Sequence, residues 1–285
     1  MGQVVSFINM KGGVGKTTLA VNVAYGLAYF HEKQVLIVDA DPQFNATQYL
    51  LEDNRYLKHI KDGKGTLSDV FVPRRPGRLD TVSGRAKKTN KEKMSLDEAK
   101  LNIFNGGEGR GKLDLIPSTL QLMEIETSRR GTENNLRRFL TEKATGYDYV
   151  IIDCPPTISI FTQAAILASD KYLVPIKPDP LSVIGLPLLE RWLEDFTEDN
   201  GKNVESVGLV FTLVREPIPR RMQAVMDELR TNRTDKVFET HLSQADCVAR
   251  SVEEHQPVFL FKRHNKTAKQ IEAITQEFVD RTTGA

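Results

Sequence analysis

Residues 7–20 read FINMKGGVGKTTLA, and the fold turns on what these small residues and two lysines can do. Gly12, Gly13 and Gly15 allow successive backbone N–H groups to point inward at an anion, and a helix opening directly after them adds the positive end of its dipole. Lys16 is placed to reach the outer phosphates of a nucleotide, and the Thr17 hydroxyl to ligate Mg2+. Val14 and Thr18 complete the stretch. It departs from the pattern G-x-x-x-x-G-K-[ST] at Met10, where a glycine is expected, and a second lysine, Lys11, follows at once. A glycine-rich turn with a chance lysine is the plainer reading, and the surrounding chain decides against it.

Working outward, QVVSFIN (3–9) reads as a strand before the loop, and an amphipathic stretch to about Phe30 reads as the helix after it. QVLIVDA (34–40), KLDLIPS (112–118), DYVIIDC (148–154), KYLVPIK (171–177) and SVGLVFT (206–212) are further strands. Their Val, Ile and Leu content is that of a sheet covered on both faces. Helices are expected between them, including 132–144, 181–196, 219–231 and 266–282. The alternation predicts a doubly wound, mostly parallel α/β sheet with helices on both faces, in a single domain over 1–285.

One region breaks the rhythm. From Arg74 to Lys112 there are eleven Lys or Arg against five Asp or Glu, with prolines at 73 and 76 and several glycines. It predicts a basic, mobile insertion at about 73–112.

Composition bounds the rest. With 40% hydrophobic and 27% charged residues, the 285-residue chain is of ordinary globular type, not disordered or collagen-like. A net charge of +1 identifies no partner, so a nucleic-acid surface must show as local clusters of Lys and Arg. Two cysteines, Cys154 and Cys247, are too few for a disulfide framework and fit a reducing compartment. No apolar run approaches the roughly 18 residues of a spanning helix, and no signal peptide is read, so the expected location is the cytoplasm. Met1–Ser6 fits a myristoylation pattern, but the same residues open a buried strand, and that reading is preferred.

A phosphate loop only holds nucleotide; carboxylates are needed for the cation and for water. VIIDCPP ends a strand with Asp153, and LIVDADPQFNAT ends another with Asp39 and Asp41. Carboxyl ends of adjacent parallel strands meet at one crevice, so these three acids and the loop converge there. Each aspartate alone is equally a turn or helix-cap residue; together they are harder to read that way.

KGGVGKTT, VDADPQFNAT and IIDCPP, in this order, resemble the ParA/MinD group of P-loop ATPases with a deviant Walker A loop. LDLIPSTLQL, VPIKPDPLSVIGLPLLERWL and VGLVFTLV extend the resemblance over most of the chain, toward a small ParA-type DNA-partitioning ATPase without an N-terminal helix-turn-helix extension. The resemblance implies that Lys11 is a signature lysine, crossing the interface of a nucleotide-sandwich homodimer to meet phosphate bound by the other subunit. Lys16 then serves its own nucleotide, Asp41 orients the attacking water, and Asp153, Thr17 and Asp39 form the Mg2+ shell. No separate strong base is needed, since phosphoryl transfer relies on positioning and charge. The guanine-reading N-K-x-D pattern is absent, so ATP is expected, with Pro217 near the adenine.

The same resemblance implies non-specific DNA binding by the ATP dimer, association with the nucleoid, and a ParB-like partner that stimulates hydrolysis. Candidate DNA contacts are Arg215, Arg220 and Arg221 in LVREPIPRRMQ, and Lys262 and Arg263, with Lys266 and Lys269, in FKRHNKTAK. For any one of them a solvated helix face is the simpler reading. Asp246 and Cys247 interrupt the basic pattern nearby. Three rivals stay open: a MinD-like membrane ATPase, against which the acidic tail QIEAITQEFVDRTTGA argues; a reductase with a bridging iron–sulfur cluster, which needs two ligating cysteines per subunit; and an ATPase that positions a protein cargo.

Overall fold

The computed structural model describes residues 2–72, 94–108, 110–128, 131–233 and 236–284. In chain order the elements are β1 (Gln3–Phe7), α1 (Lys16–Phe30), β2 (Gln34–Asp39), α2 (Asn45–Leu50), α3 (Asp53–Lys61), α4 (Leu67–Phe71), α5 (Leu96–Ala99), β3 (Leu101–Asn105), β4 (Lys112–Ile116) and α6 (Gln121–Ser128). There follow α7 (Asn134–Lys143), β5 (Tyr149–Asp153), α8 (Ile160–Ala168), β6 (Lys171–Ile176), α9 (Pro180–Asp199), β7 (Glu205–Phe211), α10 (Arg220–Asn232), α11 (Asp246–Glu253), α12 (Val258–Phe261) and α13 (Lys266–Thr283). The strands form one sheet in the order β3-β4-β2-β5-β1-β6-β7. All neighbours run parallel except the β3–β4 pair.

Strand alternation sends successive residues to opposite faces, and β2 shows the consequence. Val35 and Ile37 join α1 and α13 in a core with Leu19, Leu27, Ile271 and Phe278, while Leu36 and Val38 face the other way, among Leu136, Leu140 and Phe161 of α7 and α8. A third cluster covers β6 and β7 with Leu186 and Leu189 of α9 and Met226 and Leu229 of α10. Burial on both faces is why these strands read as unbroken apolar runs.

The basic insertion is expected at about 73–112. Residues 73–93 lie outside the described residues, but 94–112 contain α5, capped by Ser95, and the edge strand β3. Phe104 of β3 packs on Tyr25 of α1 with ring centroids 5.3 Å apart. Asp114 on β4 is wholly buried and holds the edge together, accepting from Asn102 of β3 at 2.9 Å and Tyr147 at 2.6 Å, with Lys112 at 2.7 Å. The run of basic residues hid a strand whose stability comes from partners on α1 and β4 rather than from its own composition.

Candidate nucleotide site

The register of the sheet builds the site. Phe7 is level with Asp153 across β1 and β5, and Asp39 is level with Asp153 across β2 and β5. The loops after β1, β2 and β5 therefore open at one edge, as their parallel orientation requires.

Gly13 and Gly15 adopt φ +69° and +75°, the left-handed conformation open to glycine, and Gly15 is the cap of α1. This lets the chain turn sharply into the helix. Asn9 braces the loop: its side chain donates to the Pro175 carbonyl at 2.7 Å and accepts from Lys11 N at 2.9 Å. The loop packs against the end of β7, where the Thr212 hydroxyl donates to the Val14 carbonyl. Pro217 is exposed further along the segment that starts at Thr212. Residues 12–18, Asp41, Asn45, Tyr49, Pro156 and Val252 line a cavity of about 350 Å3. A roomier cavity between α9 and α10, about 540 Å3, shares no lining residue with it.

The two lysines are placed differently. Lys16 is buried at the start of α1, and its ammonium makes a long contact, 3.4 Å, to the Asn9 carbonyl. Lys11 is partly exposed and ion-paired at 2.6 Å to Asp179, the residue that caps α9 by accepting from Ser182 N at 3.0 Å. Partial burial works to raise the Asp179 pKa, but the bonds from Lys11 and Ser182 hold it below the usual carboxylate value.

The three carboxylates also differ. Asp153 is fully buried, and neither of its oxygens has a hydrogen-bond partner of normal geometry. Burial pushes its pKa up to about 7, although Lys16 and the Thr17 hydroxyl lie close enough to pull it back. A buried carboxylate with both oxygens unsatisfied beside a threonine hydroxyl fits a divalent cation, since such groups are otherwise paired. Asp41 is 5% exposed; Oδ1 accepts from Gln43 N at 2.9 Å, and Oδ2 has a longer contact to Asn45 at 3.4 Å.

Asp39 is the most fully hydrogen-bonded of the three. Its Oδ2 accepts from Thr47 N and the Thr47 hydroxyl, each at 2.7 Å, and Oδ1 accepts from Asp41 N at 3.2 Å. Burial first, and then the neighbouring Asp153 charge, raise its pKa well above the carboxylate range. Its oxygens are turned to the protein, so it anchors the loop rather than facing the crevice. Among the described residues no group of three His, Cys, Asp or Glu side chains is arranged to hold a cation unaided.

The two cysteines differ in their surroundings. Cys154 is buried beneath the site, its thiol pushed up to about 12 by burial and by Asp153, whereas Cys247 accepts a bond from Asn265.

The basic candidates are at the surface. Arg215, Arg220, Arg221, Lys262, Arg263, Lys266 and Lys269 are all exposed. Lys266 is not free, however: it pairs with Glu216 at 2.7 Å, and Glu216 also accepts from His241 and Ser243 at 3.1 Å, so its pKa falls to about 2. That cluster ties the start of α13 to the segment before α10 and so brings the two basic runs together. Arg263 lies against Tyr29, donating to its hydroxyl at 2.8 Å. The Asp246 interruption is the first turn of α11.

Sequence reasoning passed over Asn9, Asp179, Thr47 and Ser118. Only Asp179 carried a local signal, in KPDPLS, where Asp-Pro followed by Ser marks a helix start.

A glycine loop at the head of a helix, a buried lysine and facing strand-end aspartates on a parallel sheet define a P-loop nucleotide hydrolase. The family model described as AAA domain matches residues 2–206; the chain belongs to that family, and within it is a P-loop ATPase of the ParA type. It is 27% identical over 278 residues to the virulence plasmid ParA family protein pGP5-D of Chlamydia psittaci, covering 95% of this chain and 92% of that one. It is 29% identical over 272 residues to the sporulation initiation inhibitor protein Soj of Bacillus subtilis, covering 94% and 95%. In fold it is similar to a plasmid partition protein of Borrelia burgdorferi bound to AMPPNP, with TM-score 0.74, 22% identity and coverage of 98% and 99%.

Proposed function

We propose that this protein is a Mg·ATP-dependent, dimerising ATPase that segregates DNA, cytoplasmic and nucleoid-associated, working with a ParB-like partner that stimulates its hydrolysis. The observation that carries this reading is Lys11 and Lys16 flanking one glycine loop, with Asp41 lining the same cavity and the unsatisfied Asp153 buried close to Lys16 and Thr17. Lys16 and the loop amides bind the nucleotide's phosphates. Asp153 and Thr17 hold Mg2+, which when bound offsets charge on the phosphate oxygens. Asp41 holds the attacking water, and Lys11 acts on phosphate bound by a second copy.

A second copy is supported by what surrounds Lys11. Leu181, Ile184 and Leu188 stand on one stripe of α9, each more than 60% exposed, just beyond the Asp179 that holds Lys11. An exposed apolar stripe of this kind marks an interaction face, and it adjoins the lysine that must cross to another subunit.

DNA as the cargo is supported by the joined basic clusters, Arg215, Arg220 and Arg221 with Lys262 and Arg263, whose long cationic side chains suit phosphate contacts without base reading. A membrane role is disfavoured because α13 uses its apolar face, Ile271, Ile274 and Phe278, within the core shared with α1. No helix among the described residues is long and apolar enough to cross a membrane.

The test is DNA binding by the purified protein at several salt concentrations with ATP, ADP and no nucleotide. Binding confined to the ATP state and weakening steeply with salt is expected. An intact ATPase that binds no DNA in any state would transfer the cargo to a protein assembly.

A further inference from the structure

The loop that carries Asp41 is braced from behind by two buried hydroxyls. Thr47, at the start of α2, donates its hydroxyl to Asp39 Oδ2 at 2.7 Å and accepts on the same oxygen from Ser118 N at 3.0 Å. Ser118, in the segment between β4 and α6, donates its own hydroxyl to the backbone carbonyl of Asp41 at 2.6 Å. The Ser118 carbonyl in turn accepts from the Tyr56 hydroxyl of α3 at 3.0 Å. Thr47 is 1% exposed and Ser118 is fully buried, so these bonds are made away from competing water.

The arrangement matters because of how little else holds Asp41. Among the described residues its carboxylate accepts hydrogen bonds from within its own turn, from Gln43 N and Asn45, and its carbonyl also accepts from Phe44 N at 2.8 Å. Besides the bond from Asp41 N to Asp39 Oδ1 at 3.2 Å, the hydrogen bond that reaches Asp41 from a distant part of the chain, among the described residues, is the one from Ser118. The direction of the carboxylate therefore follows the backbone at residue 41, and that backbone follows Ser118.

We propose that Ser118 is a positioning residue for hydrolysis, setting through the Asp41 carbonyl where the Asp41 carboxylate stands, with Thr47 holding Ser118 in register against Asp39. This rests on the reading that Asp41 orients the attacking water. Phosphoryl transfer to water depends on placement more than on base strength, so a small displacement of the carboxylate acts on rate and leaves phosphate binding by the glycine loop intact. It also gives Asp39 a task consistent with its inward-turned oxygens, as the fixed end of the brace.

The experiment compares the full chain with Ser118→Ala, Thr47→Val, Thr47→Ser, Asp41→Ala and the Ser118→Ala/Asp41→Ala pair. Each is assayed for single-turnover ATP hydrolysis and for affinity toward a fluorescent ATP analogue. Ser118→Ala and Thr47→Val are expected to slow hydrolysis about 10- to 100-fold, with analogue affinity changed by less than about threefold. Thr47→Ser, which keeps the hydroxyl, should restore the rate. In the Asp41→Ala background, Ser118→Ala should cause no further slowing, because the effect runs through Asp41. A wild-type rate for Ser118→Ala, equal slowing in both backgrounds, or a loss of affinity matching the loss of rate overturns the proposal. If Ser118→Ala does not fold, the Thr47 pair decides: Thr47→Ser as slow as Thr47→Val overturns it. Asp41→Ala hydrolysing normally would overturn the role of Asp41 itself, whereas a slow Asp41→Ala beside a normal Ser118→Ala overturns only the positioning.

Discussion

Lys11 Nζ lies 2.6 Å from Asp179 Oδ2, so the lysine assigned to a second subunit's phosphate is held in its own subunit by the cap of α9. Both side chains are partly exposed, 35% and 24%, and an ion pair in that setting contributes little to stability. Its effect is on where Lys11 stands before a partner arrives. Asp179→Asn, which retains a cap oxygen for Ser182, is expected to change stability by less than about 1 kcal/mol and to lower the protein concentration needed for the ATP-bound dimer by about 3- to 10-fold. Lys11→Ala should abolish that dimer while leaving the fold intact. Sedimentation with and without ATP reads both; a dimer of unchanged strength in Asp179→Asn means that the pair imposes no restraint.

Asp153 gives the cation site a pH dependence. Burial raises its pKa to about 7, so without a cation the carboxyl is largely protonated below that pH and ionised above it. A cation must displace the proton. Mg2+ affinity, followed through Mg·ADP binding by calorimetry, should rise by about tenfold per pH unit below 7 and level off above it. Asp153→Asn should bind the metal weakly and flatten the profile. An equally steep rise in that variant would assign the titration elsewhere.

The basic face makes a prediction about salt. Replacing both Arg220 and Arg221 with Glu should remove most DNA affinity and reduce the slope of log affinity against log salt by about 0.9 for each phosphate no longer neutralised, with the ATP dimer preserved. Fluorescence anisotropy with duplexes of unrelated sequence tests this. Unchanged affinity would move the DNA surface away from the start of α10.

The Glu216 cluster should show in acid unfolding. The Lys266 bond, followed by the His241 bond, holds its pKa at about 2 against an ordinary value of 4.5. A carboxylate with a depressed folded-state pKa contributes stability above its unfolded pKa and loses it as pH falls through the folded one. The contribution is therefore complete above about pH 4.5 and is lost progressively toward pH 2. Glu216→Gln should be less stable than wild type at neutral pH and converge with it in that window, as judged by thermal unfolding. A constant gap between the two curves down to pH 2 would show that the ionised form is not what the cluster stabilises.

The packing of α1 on α13 sets a further test. A Cβ added at Gly26 would come within 2.7 Å of the Thr275 hydroxyl, which is buried and already bonded to the Ile271 carbonyl at 2.7 Å. Alanine normally favours a helix over glycine by about 1 kcal/mol, but the clash should reverse the sign. Gly26→Ala is expected to destabilise the protein by about 1–3 kcal/mol in urea unfolding, and a stabilised variant would mean that α13 moves aside freely.

Much of the fold is legible in the sequence because its signals are local. Six strands appear where Val- and Ile-rich runs predict them, and α1, α7, α9, α10 and α13 lie close to the expected helices. The strand β3 escaped because LNIFN is short and sits beside a basic run, and its reason to be a strand lies in Tyr25, Asp114 and β4.

The candidate site divides along the same line. The glycines, Lys16, Thr17, Asp41 and Asp153 were determined by the sequence, since a strand–loop–helix segment builds its own anion cradle and parallel strands bring their carboxyl ends to one edge. Tertiary structure alone decided that Asp153 is left unsatisfied while Asp39 is turned inward, because the two are level in the sheet but differ in what packs against them. It alone brought Asp179 to Lys11 from 168 positions away and Ser118 to Asp41 from 77. Sequence patterns record which groups can do chemistry; the aim of each group depends on hydrogen bonds between elements distant in the chain, and only the folded sheet brings those partners within reach.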